Sequence, residues 1–572
     1  MAKIKPEKAS EKITVTEFGG IRRTSALTGG YASDMRNFRI SSDGSLEKRT
    51  GTRALYNLGQ PIRGLWQGSI SNEDFLIVIA GTAVYIKWPG QNTLSLRKYL
   101  GSSSGNVSFF ILHKNLYLLD GDNLYRFSPT SRTFFLAYGY SPLYGDNWNP
   151  TRMGEVNEPI NTLSKKIRIR YNNSVGATVF NLPFAPERIE RVMVDGAIVT
   201  PNPYVEGSTS FSIPQQYAHG TLTVCLTLSG AQIHRERATS FTESLLFADA
   251  DRSTVLLYGG TEGQMLAYSA PVSEESYLEN NYFQGANEEP IYFPLENMFS
   301  PADPAHPIHA VFRDRNRAIA LNDRFAWALE FSGDRLVSYP LEGGVGCSSP
   351  GGWTLCGDRP VTIHTGGIFR LRFPSGESDV CIPESLSQEI IELLPSSIFQ
   401  NGILAWFPGR GELWMRDPTE TDEGLVWVYK QEKKEWYCFD NLYITKFFEM
   451  EGTIGFGTAD GNILLPDETS YADNGEPVTA VYRSQYLAFA LPENYKRALR
   501  TTVCADTGGQ QLTMLTQTDS RSYSCLVTGN AGEPQFFEYG TNIGRFRFAR
   551  FVLRISGSSA ARIYRLSMLA NP

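Results

Sequence analysis

The chain has 572 residues, of which 41% are hydrophobic, 12% aromatic and 20% charged, and its formal net charge is −7. This length exceeds what one hydrophobic core usually holds and predicts two to four domains. The negative balance argues against a dedicated nucleic-acid-binding protein, which is usually basic, and the 52 glycines and 31 prolines favour short strands and turns over helices.

The N-terminal residues, MAKIKPEKASEK, are polar and lack the apolar core of a signal peptide. No stretch approaches the roughly 18 uninterrupted apolar residues of a membrane helix. We therefore expect a protein that is made and kept in a cytoplasm, or released from it by lysis, and that does not span a membrane. We predict that residues 1–30 form an N-terminal arm.

Residues 31–150 are predicted to begin a β architecture, in which LIVIAGTAVYIKW (76–88) precedes LYLLDGDNLYRF (116–127). Asp120 and Asp122 resemble the start of a calcium loop, but Ser131 stands where such a loop needs its twelfth-position glutamate. An Asp-Gly pair also supplies the positive φ angles of a tight turn. We therefore predict a hairpin with DGDN as its turn.

The pattern of apolar and polar residues changes at 151–240. Strands that alternate cleanly between apolar and polar residues occupy 165–184, 188–199 and 220–228, and proline punctuates the joins. We interpret this region as a small β-sandwich inserted into the larger architecture.

Hairpins recur through residues 241–472. Paired strand-like runs around polar, glycine-containing turns occupy 255–269, 325–340, 368–382, 403–417, 425–439 and 453–467. Hairpins that recur over more than 200 residues exceed a single sandwich and are typical of a propeller, whose blades repeat every 40–50 residues or so. No Trp-Asp dipeptide occurs, which argues against a WD40 propeller, and SSDGSL and TADGNI fail the Asp-box of sialidases. One amphipathic helix is predicted, at 385–398.

Residues 473–572 contain about six further strand-like runs, enough for a C-terminal sandwich. The predicted fold is therefore all-β: a degenerate β-propeller formed by 31–150 and 241–472, with an inserted small β-sandwich at 151–240 and a C-terminal β-sandwich at 473–572.

The cysteines are odd in number, irregularly spaced and without a CxxC pair, so we expect neither a zinc site nor a disulfide framework. Most are predicted to be buried small hydrophobic residues. They are Cys225, Cys347, Cys356, Cys381, Cys438, Cys504 and Cys525.

Five aromatic- and glycine-rich stretches follow one another along the chain. They are GGYASDMRNFRISSDGSLEKRTGTRAL (29–55), AYSAPVSEESYLENNYF (267–283), HPIHAVFRDRNRAIALNDRFAWAL (306–329), VGCSSPGGWTLCGDRPVTIHTGGIFRL (345–371) and KEWYCFDNLYITKFFEMEGTIGFGTADGNI (434–463), with the junction DNGEPVTAVYRSQYLAF (473–489) after them. In this order they resemble the tail stabilisation, or nozzle, proteins at the distal tail hub of short-tailed bacteriophages. HPIH (306–309) departs from that pattern, which has Ile-Thr or similar residues before the strand.

The resemblance implies a β-propeller with appended β domains, assembled as a ring of six copies below the portal–adaptor complex. The ring would extend the channel through which the genome DNA is ejected, without sequence-specific binding, and would hold tail fibres, spikes or a plug. It implies a structural virion protein of the tail, assembled in the host cytoplasm, with no enzymatic activity and no cofactor.

Seven basic residues within 32 positions form the one candidate binding cluster, which we call the basic cluster: Arg22, Arg23, Arg36, Arg39, Lys48, Arg49 and Arg53. Its density favours a docking arm for an acidic adaptor or portal surface or for a neighbouring subunit, since arginine pairs with carboxylates in a bidentate manner. One alternative is a solvated edge of the first blade. Nucleic-acid binding is a third interpretation and the least favoured, because the nearby aromatic residues Phe18, Tyr31 and Phe38 are not densely interleaved with the basic ones.

The histidine pair and the adjacent acidic residues are interpreted as structural or surface residues rather than as functional sites. His306 and His309 have a metal-like HxxH spacing, but Pro304 and Pro307 exclude a regular helix, and we predict no metal site. The acidic pairs, interpreted as solvated loop charges, are Glu274 with Glu275, Glu288 with Glu289, and Asp249 with Asp251.

Two other functions stay open at this stage. The first is a propeller glycosidase acting on host surface polysaccharide, which would need two carboxylates about 5–10 Å apart in a cleft. The second is a receptor- or carbohydrate-binding tail module that uses either sandwich as its reader. All three functions are compatible with one fold.

Overall fold

The structure is a computed structural model that describes residues 10–23, 30–230, 234–248, 253–272, 290–302, 305–374, 379–450, 452–488, 495–519, 521–540 and 545–571. The protein is all-β, with 54% of its residues in strands and 4% in helices. No helix among the described residues is long and apolar enough to cross a membrane. The prediction of an all-β protein is confirmed.

The chain divides into two compact units. The first unit comprises Met1–Ile62, Ser348–Arg372 and Ile382–Pro572, and the second comprises Arg63–Cys347 and Phe373–Cys381. Each unit is described by itself below, with strands numbered in chain order. The domain boundaries predicted from the sequence stay predictions.

Four four-stranded sheets follow one another in the second unit, and within each sheet the strands are hydrogen-bonded in chain order. The first sheet contains β6 (Ile62–Ile70), β7 (Glu73–Ala80), β8 (Ala83–Lys87) and β9 (Ser95–Tyr99), and the second contains β10 (Ser108–Leu112), β11 (Asn115–Leu119), β12 (Leu124–Ser128) and β13 (Thr133–Leu136). The third contains β21 (Glu243–Ala248), β22 (Ser253–Tyr258), β23 (Leu266–Tyr268) and β24 (Met298–Phe299), and the fourth contains β25 (Ile308–Asp314), β26 (Arg317–Asn322), β27 (Ala326–Ser332) and β28 (Arg335–Pro340).

These sheets pack face to face because their middle strands are apolar on both sides. On β11, Leu118 belongs to an apolar core that includes Ile77 of the first sheet, whereas Tyr117, on the opposite side, belongs to a core that includes Leu257 of the third. On β22, Leu256 belongs to a core that includes Val311 of the fourth sheet. Continuous apolar runs such as LYLL are therefore explained by burial on both faces, since successive side chains of a strand point to opposite sides.

In the sequence, a smaller β domain comes after the second sheet and before the third. Its strands are β14 (Leu143–Trp148), β15 (Lys166–Asn172), β16 (Val179–Asn181), β17 (Arg188–Val194), β18 (Ala197–Val199), β19 (Ser210–Ser212) and β20 (Thr221–Thr227), followed by the short helix α1 (Arg235–Thr239). One sheet has the order β14-β15-β20-β17-β18 and the other pairs β16 with β19. Phe180 and Phe211 stack at 5.2 Å between ring centroids in its separate core.

Three further sheets belong to the first unit. One contains β29 (Trp353–Cys356), β30 (Arg359–His364), β31 (Gly367–Arg372) and β32 (Ile382–Ser385); the next begins with β33 (Ile403–Phe407), β34 (Glu412–Arg416), β35 (Val426–Lys430) and β36 (Glu435–Phe439). The last contains β37 (Ile444–Met450), β38 (Thr453–Thr458) and β39 (Asn462–Asp467), with β5 (Gly51–Asn57), β40 (Ala472–Asp473) and β41 (Glu476–Pro477). The partner of β39 is thus a strand from the beginning of the chain.

The C-terminal strands form two sheets that enclose a common core with strands of the N-terminal segment. One sheet continues from β36 through β2 (Ala32–Arg36), β42 (Thr479–Ser484), β48 (Phe548–Ser556), β45 (Gln511–Thr518) and β46 (Ser522–Thr528), with β43 (Leu487–Ala488) beside β48. The other has β3 (Phe38–Ile40), β4 (Leu46–Lys48), β49 (Arg562–Asn571), β44 (Arg497–Asp506) and β47 (Gln535–Gly540), with β1 (Glu11–Val15) paired to β49.

The turn between β11 and β12 confirms the hairpin predicted at 116–127. Asp120 is 2% exposed, and its Oδ1 accepts hydrogen bonds from the backbone N–H groups of Asp122 and Asn123 at 3.0 and 2.7 Å. Gly121 has a φ of +87°, a conformation that side chains disfavour. The carboxylate therefore shapes its own turn, as Asp does in Asx turns. The other six predicted hairpins are also confirmed by strand pairs at their positions.

The helix predicted at 385–398 is wrong. The segment holds one 3-10 turn at Ile391–Leu393, and the short helix α2 (Ile398–Asn401) begins where the prediction ends. Leu394 is extended, with φ −73° and ψ 133°, because the ring of Pro395 disfavours helical backbone in the preceding residue. Further 3-10 turns occur at Gln215–Tyr217 and Leu295–Asn297.

Candidate functional site

The basic cluster lies entirely in the first unit, on the N-terminal strands and the loop before them. Most of its members face carboxylates that come from residues 389–473, far along the chain. The structure therefore gathers the cluster into intrachain ion pairs rather than into one exposed arm. The interpretation as a docking arm stays a prediction.

Arg49 and Asp473 form the most deeply buried ion pair of the basic cluster among the described residues. Its guanidinium binds both carboxylate oxygens of Asp473, with Nη1–Oδ1 at 2.9 Å, and its Nε donates to Asn37 Oδ1 at 2.8 Å. The side chains of Arg49 and Asp473 are 2% and 9% exposed. Asn37, whose φ is +57°, also donates to Asp440. Burial raises the pKa of Asp440.

Arg39 meets a second buried carboxylate, Glu412, which is 1% exposed. Arg39 Nε and the Tyr437 hydroxyl donate to Glu412 Oε1 at 2.9 and 3.0 Å, and Trp414 Nε1 donates to Oε2 at 3.1 Å. Burial alone would raise the pKa of Glu412, but Arg39 and Arg410 outweigh it and lower the pKa. Glu412 is thereby held as an anion with both oxygens engaged, an arrangement that suits a structural role better than proton transfer.

Lys48 is 1% exposed and its ammonium group is bound by neutral acceptors. Its Nζ donates to Gln510 Oε1 at 2.9 Å and to the carbonyl oxygen of Gly557. Burial, together with the nearby charge of Arg49, lowers the pKa of Lys48 to about 8. The lysine thus joins β4 to the turn after β48.

The other cluster members lie closer to solvent. Arg22 pairs with Glu435 at 2.8 Å and its guanidinium lies 4.1 Å from the centre of the Tyr31 ring. Arg23 pairs with Glu392, and both side chains are more than 60% exposed. Arg53 contributes, after hydrogen bonds from Thr469, to lowering the pKa of Asp467.

Arg36 differs from the rest because it lines an open groove of about 680 Å³ on the outer face of the sheet formed by β2, β42, β48 and β45. We call this the arginine groove. Its lining residues are Asp34, Arg36, Asp440, Thr479, Val481, Arg483, Thr513, Leu515, Val552 and Arg554.

Strand register fixes the arrangement of the three arginines in the arginine groove. Arg36 and Arg554 flank Val481 in one row across the sheet, and Arg483 lies in the next row between Asp34 and Val552. Arg36 Nη1 is 2.8 Å from Glu423 Oε1, and its Nε is 3.2 Å from Asp34 Oδ1. These carboxylates outweigh partial burial and raise the pKa of Arg36.

Sequence reasoning found Arg36 but missed Arg483 and Arg554. The alternation in VYRS and VLRIS places both arginines on the polar face of their strands. That alternation was a usable signal, but only the register shows that the two share a face with Arg36.

A second, aromatic groove of about 470 Å³ lies among β29, β33, β37 and β38. Trp353, Trp406 and Phe447 contribute partly exposed aromatic rings, and Glu449 and Thr453 contribute polar groups. Sequence reasoning missed this groove because its rings come from strands about 40–50 residues apart.

The remaining candidate residues do not form a reactive centre among the described residues. His306 Nδ1 is 2.9 Å from Asp323 Oδ1, and His309 Nδ1 is 2.8 Å from the carbonyl oxygen of Cys347. In the described part of the chain, no group of three or more His, Cys, Asp or Glu residues is placed to hold a metal. The acidic pairs at 249–251, 274–275 and 288–289 lie outside the described residues.

None of the seven cysteines forms a disulfide bond among the described residues; six are buried and Cys525 is partly exposed. Burial raises the pKa of the Cys356 thiol to about 12 and that of the Cys381 thiol to about 11. The prediction that most are buried small hydrophobic residues is confirmed.

No family model and no curated protein matches the chain. Among solved structures it is similar to the extracellular domain of a one component system from B. thetaiotaomicron, with 10% identity and a TM-score of 0.37, over 92% of this chain. The chain spans 64% of the length of that structure. It is also similar to a glycoside hydrolase, with 10% identity and a TM-score of 0.17, over 90% of this chain and 99% of the other. Similarity this weak assigns neither family nor function.

Proposed function

We propose that the chain is a structural protein of a short-tailed bacteriophage tail, a nozzle or hub below the portal–adaptor complex. It extends the DNA-ejection channel and anchors fibres, spikes or a plug, and it resides in the virion. The proposal starts from the five stretches at 29–55, 267–283, 306–329, 345–371 and 434–463 that resemble this family.

We also propose that the seven successive sheets are the blades of one degenerate β-propeller. Six of them contain four consecutive strands, from β6–β9 to β33–β36, and the seventh combines β37–β39 with β5 from the N-terminal segment. Completion of a last blade by a strand from the other end of the chain closes a propeller without a free edge. The inserted domain would lie between the second and third blades.

One observation carries the proposed mechanical role: the two ends of the chain share the same sheets. β1 pairs with β49, β2 lies between β36 and β42, and β5 pairs with β39. Buried ion pairs such as Arg49–Asp473 reinforce these joins. A subunit whose ends are fastened in this way supports use as a rigid wall element of a channel.

In this role the protein performs no bond chemistry. DNA passes a wall of net-negative subunits without being retained, because each phosphate–cation contact that a basic wall offered would add binding free energy. The pairing of the basic cluster within the chain is consistent with this mechanism, since its ion pairs and hydrogen bonds include those of Arg22, Arg23, Arg36, Arg39, Lys48 and Arg49.

Assembly of the chain on the portal–adaptor complex tests the proposed function directly. The purified chain is mixed with the portal–adaptor complex of the phage that is proposed to encode it, and the product is examined by native mass spectrometry and negative-stain electron microscopy. We expect a ring of six copies on the adaptor. A chain that stays monomeric in the presence of the adaptor contradicts the proposal, whereas a monomer in isolation does not, because the adaptor is expected to template the ring.

A second candidate function, a carbohydrate-binding tail module, is favoured by the aromatic groove. Partly exposed indole rings such as those of Trp353 and Trp406 can stack on sugar faces, and Glu449 and Thr453 offer hydrogen-bond acceptors in the same groove. Titration of host oligosaccharides against intrinsic tryptophan fluorescence tests it: saturable quenching that is lost in Trp406→Ala supports this function, and unchanged fluorescence at millimolar sugar excludes it.

A further inference from the structure

The arginine groove holds cationic groups that the chain itself leaves incompletely paired. Within the described residues, Arg554 is exposed and makes no ion pair or hydrogen bond through its side chain, and Arg483 Nε is shielded from solvent without an acceptor. Arg483 Nη1 reaches Asp34 only at 3.9 Å. A shielded donor without an acceptor is unfavourable, and an incoming carboxylate oxygen would satisfy it.

The chain itself shows how a carboxylate binds in this groove. Glu423, from the loop between β34 and β35, places Oε1 at 2.8 Å from Arg36 Nη1. Arg554 lies in the same row as Arg36, two strands further across the sheet, without such a partner among the described residues. The groove is therefore half filled by carboxylates at the Arg36 end and unfilled at the Arg554 end.

We propose that the arginine groove binds an extended acidic segment of a partner protein, with its carboxylates on Arg483 and Arg554. Arg483 and Arg554 are diagonal neighbours on the adjacent strands β42 and β48, roughly 7–8 Å apart, which is close to two residues of extended chain at roughly 3.4 Å each. Side chains two apart in an extended segment point to the same face, so the ligand is a segment with acidic residues two apart. Val481, Val552 and Leu515 form an apolar floor beside the arginines.

The charge pattern of the groove selects this occupant over a nucleic acid. Its three arginines alternate with Asp34 and Asp440, so a uniform polyanion would meet repulsion as well as attraction. Separate carboxylates on a flexible segment can instead be placed at each guanidinium, where arginine binds them in bidentate geometry. The inference uses the groove alone and stands whether or not the chain forms a ring.

Fluorescence anisotropy with the full-length protein tests the proposal. The probe is a labelled peptide with two glutamates two residues apart in an alanine–serine background, measured at low ionic strength. We expect saturable binding, and we expect Arg554→Gln to weaken the affinity roughly tenfold. Salt at about 0.5 M should abolish the binding, because it screens charge–charge attraction strongly. Arg521→Gln, at an exposed arginine outside the groove in the same sandwich, is expected to bind like the unaltered chain.

Several outcomes overturn the proposal. Absence of peptide binding at low ionic strength contradicts it, and so does equal weakening by Arg554→Gln and Arg521→Gln, which would show diffuse charge attraction. Tighter binding of a tetragalacturonate probe or of single-stranded DNA than of the peptide would assign the groove to a glycan or a nucleic acid instead. Unchanged thermal melting of Arg554→Gln confirms that a loss of binding does not arise from unfolding.

Discussion

Asp120 and Arg49 are both charged residues that the fold buries, but they are satisfied in different ways. Asp120 accepts hydrogen bonds from residues two and three positions further along its own turn. Arg49 depends on Asp473, which is 424 residues away. The first residue acts within a hairpin, whereas the second fastens the beginning of the chain to its C-terminal part.

The difference teaches which contacts hold each region together. The hairpin of β11 and β12 is stabilised by local turn geometry and by apolar packing on both faces of the sheet. The N-terminal segment adds buried ion pairs, whose removal leaves the other partner charged and desolvated. Substitutions at the two sites should therefore differ in magnitude and in their dependence on pH.

The largest effect is expected at the Arg49–Asp473 pair. Arg49→Ala leaves Asp473 buried without its cation, and we expect the free energy of unfolding to fall by about 3–5 kcal/mol. Chemical denaturation followed by far-UV circular dichroism measures this loss. Asp473→Asn should lower the free energy of unfolding by a similar amount. A loss below about 1 kcal/mol in either variant, which is typical of exposed ion pairs, would show that the pair does not fasten the N-terminal segment.

Lys48 should make the free energy of unfolding depend on pH. Its pKa is lowered to about 8 in the folded protein from an ordinary value of 10.5, so between these values the unfolded chain binds more protons and stability rises with pH. Relative to Lys48→Met, the unaltered protein should gain stability from about pH 8 to about pH 10.5 and show a constant difference below pH 8. A difference that stays constant up to about pH 10.5 and falls only above it would mean that the carbonyl partners favour the ammonium form and raise the pKa of Lys48.

A smaller loss is expected at the turn. Asp120→Ala removes the acceptor of the backbone hydrogen bonds from Asp122 and Asn123 and of a longer one, 3.5 Å, from Ser102, and we expect destabilisation by about 1–2 kcal/mol in thermal or chemical denaturation. Asp120→Asn keeps an acceptor oxygen at the same position and should lose less than half as much. Equal losses in the two variants would assign the role of Asp120 to its charge, near Arg63, rather than to the turn.

The smallest effect is expected at Arg23. Its side chain and that of Glu392 are 64% and 62% exposed, and exposed ion pairs contribute about 0–1 kcal/mol. Arg23→Ala should leave the unfolding midpoint nearly unchanged. If it destabilised the protein as much as Arg49→Ala, the contrast between buried and exposed members of the basic cluster would be wrong.

The sequence predicted the local features because their determinants are local. Asp-Gly at 120–121 requires positive φ at the glycine, and the flanking runs have strand composition, so the hairpin followed. The predicted helix at 385–398 failed on another local signal, Pro395, which ends helical backbone at Leu394.

Partners distant in sequence could not be predicted. The basic cluster was recognised, but its pairing with Glu412, Glu435 and Asp473 depends on β2–β5 entering sheets built from residues more than 350 positions away. Arg483 and Arg554 were missed for the same reason, since their register with Arg36 is set by the pairing of β2, β42 and β48 in one sheet.

The most direct test of the proposed tail role is cryo-electron microscopy of the phage particle that is proposed to carry this chain. We expect six copies in a ring below the portal–adaptor complex, each fitting the sheets described above. A particle that lacks this chain, or that carries it only at the tips of fibres, would contradict the proposed role as a channel wall.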